Sequence, residues 1–539
     1  MQSKLLFFIL LCFPIFVLAQ VTQQWVQIYG GPNGSTDYPW LILVDNSGNV
    51  YVTGYIRSTY YDYATIKYNS SGIQQWVKIY NGPTDGTDEA WSMAVDNSGN
   101  VYVTGASEGS GSGRDYLTIK YNSSGIEQWI QRYNGPSNGL DEAWSVAVDD
   151  SGNVYVTGGS TGSGTGLDYT TIKYNSSGIE QWNQRYNAAG NGMDEAYSLA
   201  IDKFGNVFVA GTSNYDYAII KYNSSGVHQW VQRYNGPGNS WDNVQSIFVD
   251  SSGYVYVTGS SVGSGTSDDY ATIKYNSSGI QQWLQRYNGP PTNGRDNATS
   301  VKVDNEGNVY VTGYSYGIGT SRDYATLKYN SSGVEQWVQR YNGPGNDLEY
   351  AYSIAVDNSG NVYVTGSSIG IGTGPDYATI KYNSSGVEQW VERYHRLGNM
   401  DIATSIAIDT SGNLYVTGYN SSDGYVTIKY SQTIGIQYIS TQIPEQFSLS
   451  QNFPNPFNPI TNIKFDIPKK SFVKLVIYDL LGKEVAVLVN EELNAGSYYA
   501  DWNASEFPSG VYFYRLVVSG ANPLQTDDFV ETRSMVLVK

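Results

Sequence analysis

A phrase of the form GNVYVTG returns eight times between residues 22 and 430, beginning at Gly48, Gly99, Gly152, Gly205, Gly253, Gly307, Gly360 and Gly412, 48 to 54 residues apart. A unit that short cannot bury a core alone, so neighbouring units must bury one another's faces. Each unit carries four short apolar or alternating runs, as in "AWSVAVD" (143 to 149), "NVYVTG" (153 to 158), "DYTTIKYN" (168 to 175) and "EQWNQRY" (180 to 186), separated by Gly, Asn, Ser and Pro. Four strands in about fifty residues predict the blade of a β-propeller, a radial array whose sheet edges are short and protected.

We name the strands A to D in chain order, A being innermost. The A–B connection "DNSGN" and the C–D connection "YNSSG" are tight and nearly constant among the copies, with Asn and Gly where a hairpin needs positive φ. They belong on one face. The B–C and D–A connections vary in length and composition and belong on the other, where binding surfaces concentrate. The chain opens on an unaccompanied strand D, "QQWVQIYG" (23 to 30), and its last unit stops after strand C at Tyr430. The two complete each other, which predicts an all-β, eight-bladed propeller over residues 20–430, closed by its N-terminal strand. Beyond a linker at 431–442, residues 443–539 alternate apolar and polar residues around turns such as "DLLGK", the pattern of a small antiparallel β-sandwich.

Residues 1–19, "MQSKLLFFILLCFPIFVLA", have the form of a secretory signal peptide cut before Gln20. The apolar run is shorter than a spanning helix needs, and no second one follows, so no membrane span is expected. The only cysteine, Cys12, lies within it, which excludes disulfides, thiolate catalysis and cysteine metal ligands from the exported protein. A formal charge of −18 argues against nucleic acid as a partner, since phosphate neutralisation demands a basic surface. A secreted or outer-surface monomer of a Gram-negative bacterium is the expectation.

Carboxylates are the residues that could bind. Eight residues before each Asp that ends strand A stands another acid: Asp37, Asp88, Asp141, Asp194, Asp242, Asp296, Glu349 and Asp401. Rotational repetition would set them in a ring on the variable face, a speculative ligand-binding set in which Ca²⁺, which prefers several oxygen ligands, could assist; no other cofactor is expected. A second series, Asp62, Asp115, Asp168, Asp216, Asp269, Asp323 and Asp376, precedes strand C on the same face, with Gly424 breaking it. The plainer alternative is that each acid caps its own loop or pairs with a nearby Lys or Arg. Acids repeated in like surroundings do not provide the two unlike carboxylates of a glycosidase, and the G-x-S-x-G form at 313–317 recurs in other B–C loops, away from any helix. Only two histidines occur: His228 beside a hairpin turn, and His395 where other copies have Asn. Neither supplies a triad or a His-rich zinc site. The repeated strand-D Trp (Trp25 to Trp390) suits packing between blades better than sugar stacking, and no catalytic constellation emerges.

The repeats resemble a bacterial β-propeller repeat family (SBBP type) described as seven-bladed, whose pattern D-x-x-G-N-x-Y-V-x-G is carried first by Asp45, Gly48, Asn49, Tyr51, Val52 and Gly54. This chain has eight copies. The segments "QNFPNPFNP" (451 to 459), "VIYDLLGKEV" (476 to 485), "AGSYYADWN" (495 to 503), "SGVYFYRL" (509 to 516) and "MVLVK" (535 to 539) resemble the type A sorting domain of the type IX secretion system. The resemblance implies that this domain partners the secretion machinery at the outer membrane and is usually removed on release or surface attachment. Together the readings predict an exported scaffold that binds a glycan or protein ligand on its variable face. The alternatives are a polysaccharide-degrading enzyme and a purely structural surface protein.

Overall fold

The computed structural model describes residues 21–31, 37–290, 293–396, 400–432, 437–440, 443–504, 507–519 and 529–539. The expected signal segment, and residues 433–436 and 441–442 of the expected linker, lie outside them. Every regular element among the described residues is a β-strand. The chain divides into two compact units, residues 23–431 and a unit containing residues 432–539.

The first unit is built of four-stranded antiparallel sheets of the propeller-blade kind, and among the described residues there are eight. In seven the strands follow chain order, as in Asp141–Val148, Val154–Thr161, Leu167–Tyr174 and Glu180–Tyr186. In the eighth, Val21–Tyr29 lies beside Gly424–Gln432, followed by Leu414–Asn420 and Asp401–Ile408.

Local sequence explains each part of the blade. Strand B is apolar on both faces because sheets cover it from both sides: Val154, Tyr155 and Val156 are fully buried. Gly158 ends that run where a Cβ would come within 1.8 Å of the Glu142 carbonyl oxygen, so only glycine admits strand A so closely. In the A–B turn, Asp149 Oδ1 accepts the N–H groups of Ser151 and Asn153, while Oδ2 accepts Asn153 Nδ2 and the Tyr155 hydroxyl. Burial alone would raise this carboxyl, but those donors outweigh it and hold it below the usual range.

Strand A carries a β-bulge in every sheet. Between Ala143 and Ser145 the register slips, leaving Trp144 unpaired in the ladder, and the same slip singles out Trp40, Trp91, Tyr197, Gln245, Thr299, Tyr352 and Thr404. A bulge re-aims the side chain it frees.

Three devices join neighbouring sheets. The strand-C tyrosine hydroxyl donates to a strand-C carbonyl of the next sheet, as from Tyr116 to Thr170 at 3.2 Å, and Tyr425 of the last sheet reaches Ala64 of the first at 3.5 Å. The strand-A serine accepts a backbone N–H from the next sheet, Val146 to Ser92 at 3.2 Å and likewise Ile42 to Ser405 at 3.3 Å. The strand-D indole lies under the next C–D turn. Trp129 donates to Ser176 O at 3.2 Å and covers Gly178, where a Cβ would stand 2.8 Å from the ring; Trp25 does the same to Gly72. These contacts give the repeated Trp its packing role.

In the second unit, two four-stranded antiparallel sheets enclose one core that includes Ile463, Phe465, Leu475, Trp502, Leu516 and Met535. The "QNFPNPFNP" segment is fixed from within. Asn452 is buried, donates its backbone N–H to Tyr514 Oη at 2.8 Å and its side-chain amide to Thr461 Oγ1 at 2.8 Å. The C-terminal strand meets the same segment through Val536 N–H to Asn455 Oδ1 and Val538 N–H to Phe457 O, both 3.0 Å.

Candidate functional site

The eight acids of the first series enter strand A at one level, but each turns into its own D–A loop. Asp37, Asp88, Asp141, Asp194, Asp242, Asp296, Glu349 and Asp401 all have 0% exposure. Their carboxylates take loop backbone N–H groups: Gly31 to Asp37, Gly135 to Asp141, Ala188 to Asp194, Gly289 to Asp296 and Arg396 to Asp401, at 2.6–2.8 Å. Burial pushes all eight carboxyls up, Glu349 to about 7, against the lowering effect of those donors. Apart from Asp401, whose Oδ2 lies 3.9 Å from the partly exposed His395, a ligand could touch them only by displacing the loop each one holds. In this arrangement the eight acids serve as anchors of their own D–A loops.

The second series is also anchored. Asp115, Asp168, Asp216, Asp269, Asp323 and Asp376 pair with Arg132, Arg185, Arg233, Arg286, Arg340 and Arg393 of strand D at 2.8–3.0 Å. Each such arginine also meets the strand-B serine of its own sheet, and most reach a tyrosine of the preceding one, as Arg185 reaches Ser160 and Tyr133. Asp62 has Ile79 where the others have arginine, and accepts instead from Ser58 Oγ at 2.6 Å. Gly424, which breaks the series, coincides with Ile28 in the arginine's place.

Next to these anchors lies a layer where the copies stop resembling one another. The residue after each buried acid is in turn Tyr38, Glu89, Glu142, Glu195, Asn243, Asn297, Tyr350 and Ile402, and the bulge residue lies two further on. In three consecutive sheets these positions form an acidic and indole-rich arc. Trp91 and Trp144 stack with centroids 4.0 Å apart and planes 13° from parallel. Arg114 lies over Trp91, bonds Glu89, and is 3.2 Å from Glu142 Oε1. Glu195 accepts the Trp144 indole N–H at 2.7 Å and the Tyr197 hydroxyl at 2.9 Å. Burial raises the Glu142 carboxyl; Arg114 opposes this, and Glu195 and Glu89 add to it. Elsewhere on the layer, Tyr38, Tyr55, Tyr61 and Tyr419 meet edge to face or tilted, and Arg322 lies over Tyr314, Tyr316 and Tyr350. Asn243 and Asn297 supply amides between them.

Trp91, Trp144 and Tyr197 are legible in the sequence as aromatic residues near the start of strand A, whereas Glu89, Glu142, Glu195, Arg114, Arg322 and the tyrosines of strands B and C escape the expectation. Aligning the eight copies would have exposed these Glu and Arg residues, since each stands beside an unvarying Asp or Glu yet differs from copy to copy.

Blades of this repeat, joined to a two-sheet sandwich, define the class, and the comparisons agree. Seven segments, 24–60, 128–164, 181–218, 229–265, 282–319, 336–372 and 389–425, match the Beta-propeller repeat model, and residues 451–525 match the Secretion system C-terminal sorting domain. The chain is a secreted or surface β-propeller-repeat protein carrying a C-terminal sorting domain that addresses it to the type IX secretion machinery. Each matched repeat runs from strand D through strand B of the following sheet. The equivalent stretch 75–111 is outside the matches, although its strands pair as the others do. No curated protein matches the chain. Similar solved structures include a protein of unknown function from Bacteroides caccae (15% identity, 54% of this chain and 93% of that one, TM-score 0.31), a Xanthomonas campestris gluconolactonase (13%, 52% and 90%, 0.29) and a Lactobacillus plantarum protein (13%, 64% and 98%, 0.33). Scores this low carry no argument about activity.

Proposed function

We propose that residues 20–430 close as an eight-bladed propeller, with Val21–Tyr29 as the outer strand of the last blade, and that the face carrying the B–C and D–A loops binds a glycan. The observation that carries the binding reading is the contrast between an unvarying framework and the varied layer above it. Indole and phenol faces, carboxylates and side-chain amides converge there, the groups that grip the apolar faces and hydroxyls of sugars. Closure is supported by Tyr425, Ser405 and Trp25: the first makes toward the first sheet the contact that every other sheet makes toward its neighbour, and the other two make contacts that most of the sheets make.

The test is a glycan-binding screen of the full mature chain, followed by Trp144→Ala and Glu195→Gln. Each substitution is expected to weaken the selected glycan at least tenfold, about 1.4 kcal/mol. Replacing Ser70, Ser123 and Ser176 of the opposite turns with Ala is expected to leave binding unchanged. Loss of binding in the turn variant alone would reverse the face assignment. Shortened polysaccharide products would make the protein an enzyme, and binding to no glycan or protein would leave a structural surface component.

A further inference from the structure

We propose that Asp376, His395 and Asp401 bind a divalent first-row transition-metal ion of the Zn²⁺ type. One nitrogen or oxygen from each lies within 4.8 Å of the other two. His395 Nδ1 is 3.0 Å from Asp376 Oδ1 and 3.9 Å from Asp401 Oδ2. Zn²⁺ holds such ligands at about 2.0–2.2 Å, which spaces neighbouring ligand atoms by about 3 to 3.5 Å. His395 and Asp376 are already at that spacing, and Asp401, 3.9 Å from the imidazole, needs to move closer to complete the set.

Three further observations set this place apart from a chance cluster. First, the oxygen aimed at His395 is buried and unclaimed. The Asp376 side chain is 4% exposed, its Oδ2 is taken by Arg393 and Thr373 at 2.9 Å each, and Oδ1 has no hydrogen-bond partner among the described residues. Asp401 is likewise held in position, Oδ1 by Asn420 at 2.8 Å and Oδ2 by the Arg396 N–H at 2.8 Å, the latter keeping a lone pair free.

Secondly, His395 is not a neutral exchange for Asn. In five other sheets that Asn donates to the residue four positions on, as Asn134 does to Asn138 Oδ1 at 2.7 Å, which clips the D–A loop in a positive-φ turn. In the His395 sheet the loop is one residue shorter than in those five, with Arg396 in place of the residue that follows Asn. The amide donor of that clip is absent, and the imidazole Nδ1 faces carboxylates.

Thirdly, the arrangement balances charge. Two carboxylates and Arg393 leave a net of about −1 that a divalent ion offsets, whereas a buried carboxylate pair on its own is costly. The nitrogen donor also decides the metal class. Ca²⁺, expected from the acids alone, prefers oxygen throughout, while imidazole with carboxylates suits Zn²⁺ and its neighbours. His395 remains 26% exposed, which leaves a path for the ion from solvent.

The full mature chain, stripped with chelator, is expected to take up one Zn²⁺ with retained affinity in excess Ca²⁺, and its Tm is expected to rise with Zn²⁺. Co²⁺ should give the visible absorption of a nitrogen- and oxygen-ligated ion. His395→Asn restores the residue of the other copies and so keeps the fold; it should lose about 100-fold in Zn²⁺ affinity and the Tm response, as should His395→Gln. His228→Gln, on the other histidine, should change neither. Failure of the folded wild-type chain to bind Zn²⁺ stoichiometrically, equal uptake by His395→Asn, or displacement of Zn²⁺ by Ca²⁺ would each overturn the proposal; in those cases His395 serves only to pack beside Asp376.

Discussion

Glu349 holds in one sheet the place that Asp holds in the other seven, and it shows what the buried anchors cost. Its carboxyl is raised from an ordinary value of 4.5 to about 7 by burial, with like charge from Asp323 adding to it, against donation from the Ile369 and Gly343 backbones. A carboxyl that keeps its proton to a higher pH when folded than when unfolded favours folding at low pH. That advantage is progressively lost as pH rises from about 4.5 to about 7. Glu349→Gln is therefore expected to flatten the fall in Tm across this window and to raise Tm at pH 8, relative to wild type. An unchanged pH profile would mean that the loop N–H groups fully offset the burial. At this scale the sequence shows which residues are exceptional but not what they meet. His395 is legible as a replaced Asn, yet its neighbours stand 19 residues before it and 6 after it, in different sheets, and chain spacing carries no sign of that meeting. The two acidic series are legible as repeats, but the complete burial of the first depends on loop backbone folding over it, which periodicity does not encode.

Among elements, the strands were readable because each has a strong local cause: alternation, a Gly that a neighbour's carbonyl requires, an Asp that caps its turn. The bulges were not readable, because a bulge is a mismatch between two strands and neither strand announces it alone. The pairing of Val21–Tyr29 with Gly424–Gln432 was readable by arithmetic, as a strand left over at one end and missing at the other. It makes a firm prediction. Deleting residues 20–33 removes Trp25 from Gly72 and its ring contacts with Tyr68 and Tyr415, and leaves the edge of Gly424–Gln432 unpaired. The expected cost is about 3 kcal/mol or more, the scale of losing a large ring from a packed site, with a lower Tm and association through the open edge. Calorimetry and sedimentation of the deleted and full chains decide it. Equal Tm values with both monomeric would show that the strand does not secure the ring.

For the whole molecule, the sorting domain and the expected signal segment together predict what is found outside the cell: a species beginning near Gln20 and lacking most of the chain after about residue 440. Intact mass measures both ends at once, and a secreted species that retains "SMVLVK" would remove the cleavage step while leaving export in place. The closing strand adds a constraint of timing. Gln24 and Ser431, which share a hydrogen bond at 2.6 Å, are 407 positions apart in the chain. A polypeptide emerging N-terminus first must hold its opening strand without its partner while every intervening sheet forms, and loop closure over such a span is slow. Residue 431 precedes the sorting domain at 451–525, so the export address is completed only after both strands of this pairing are present in the chain.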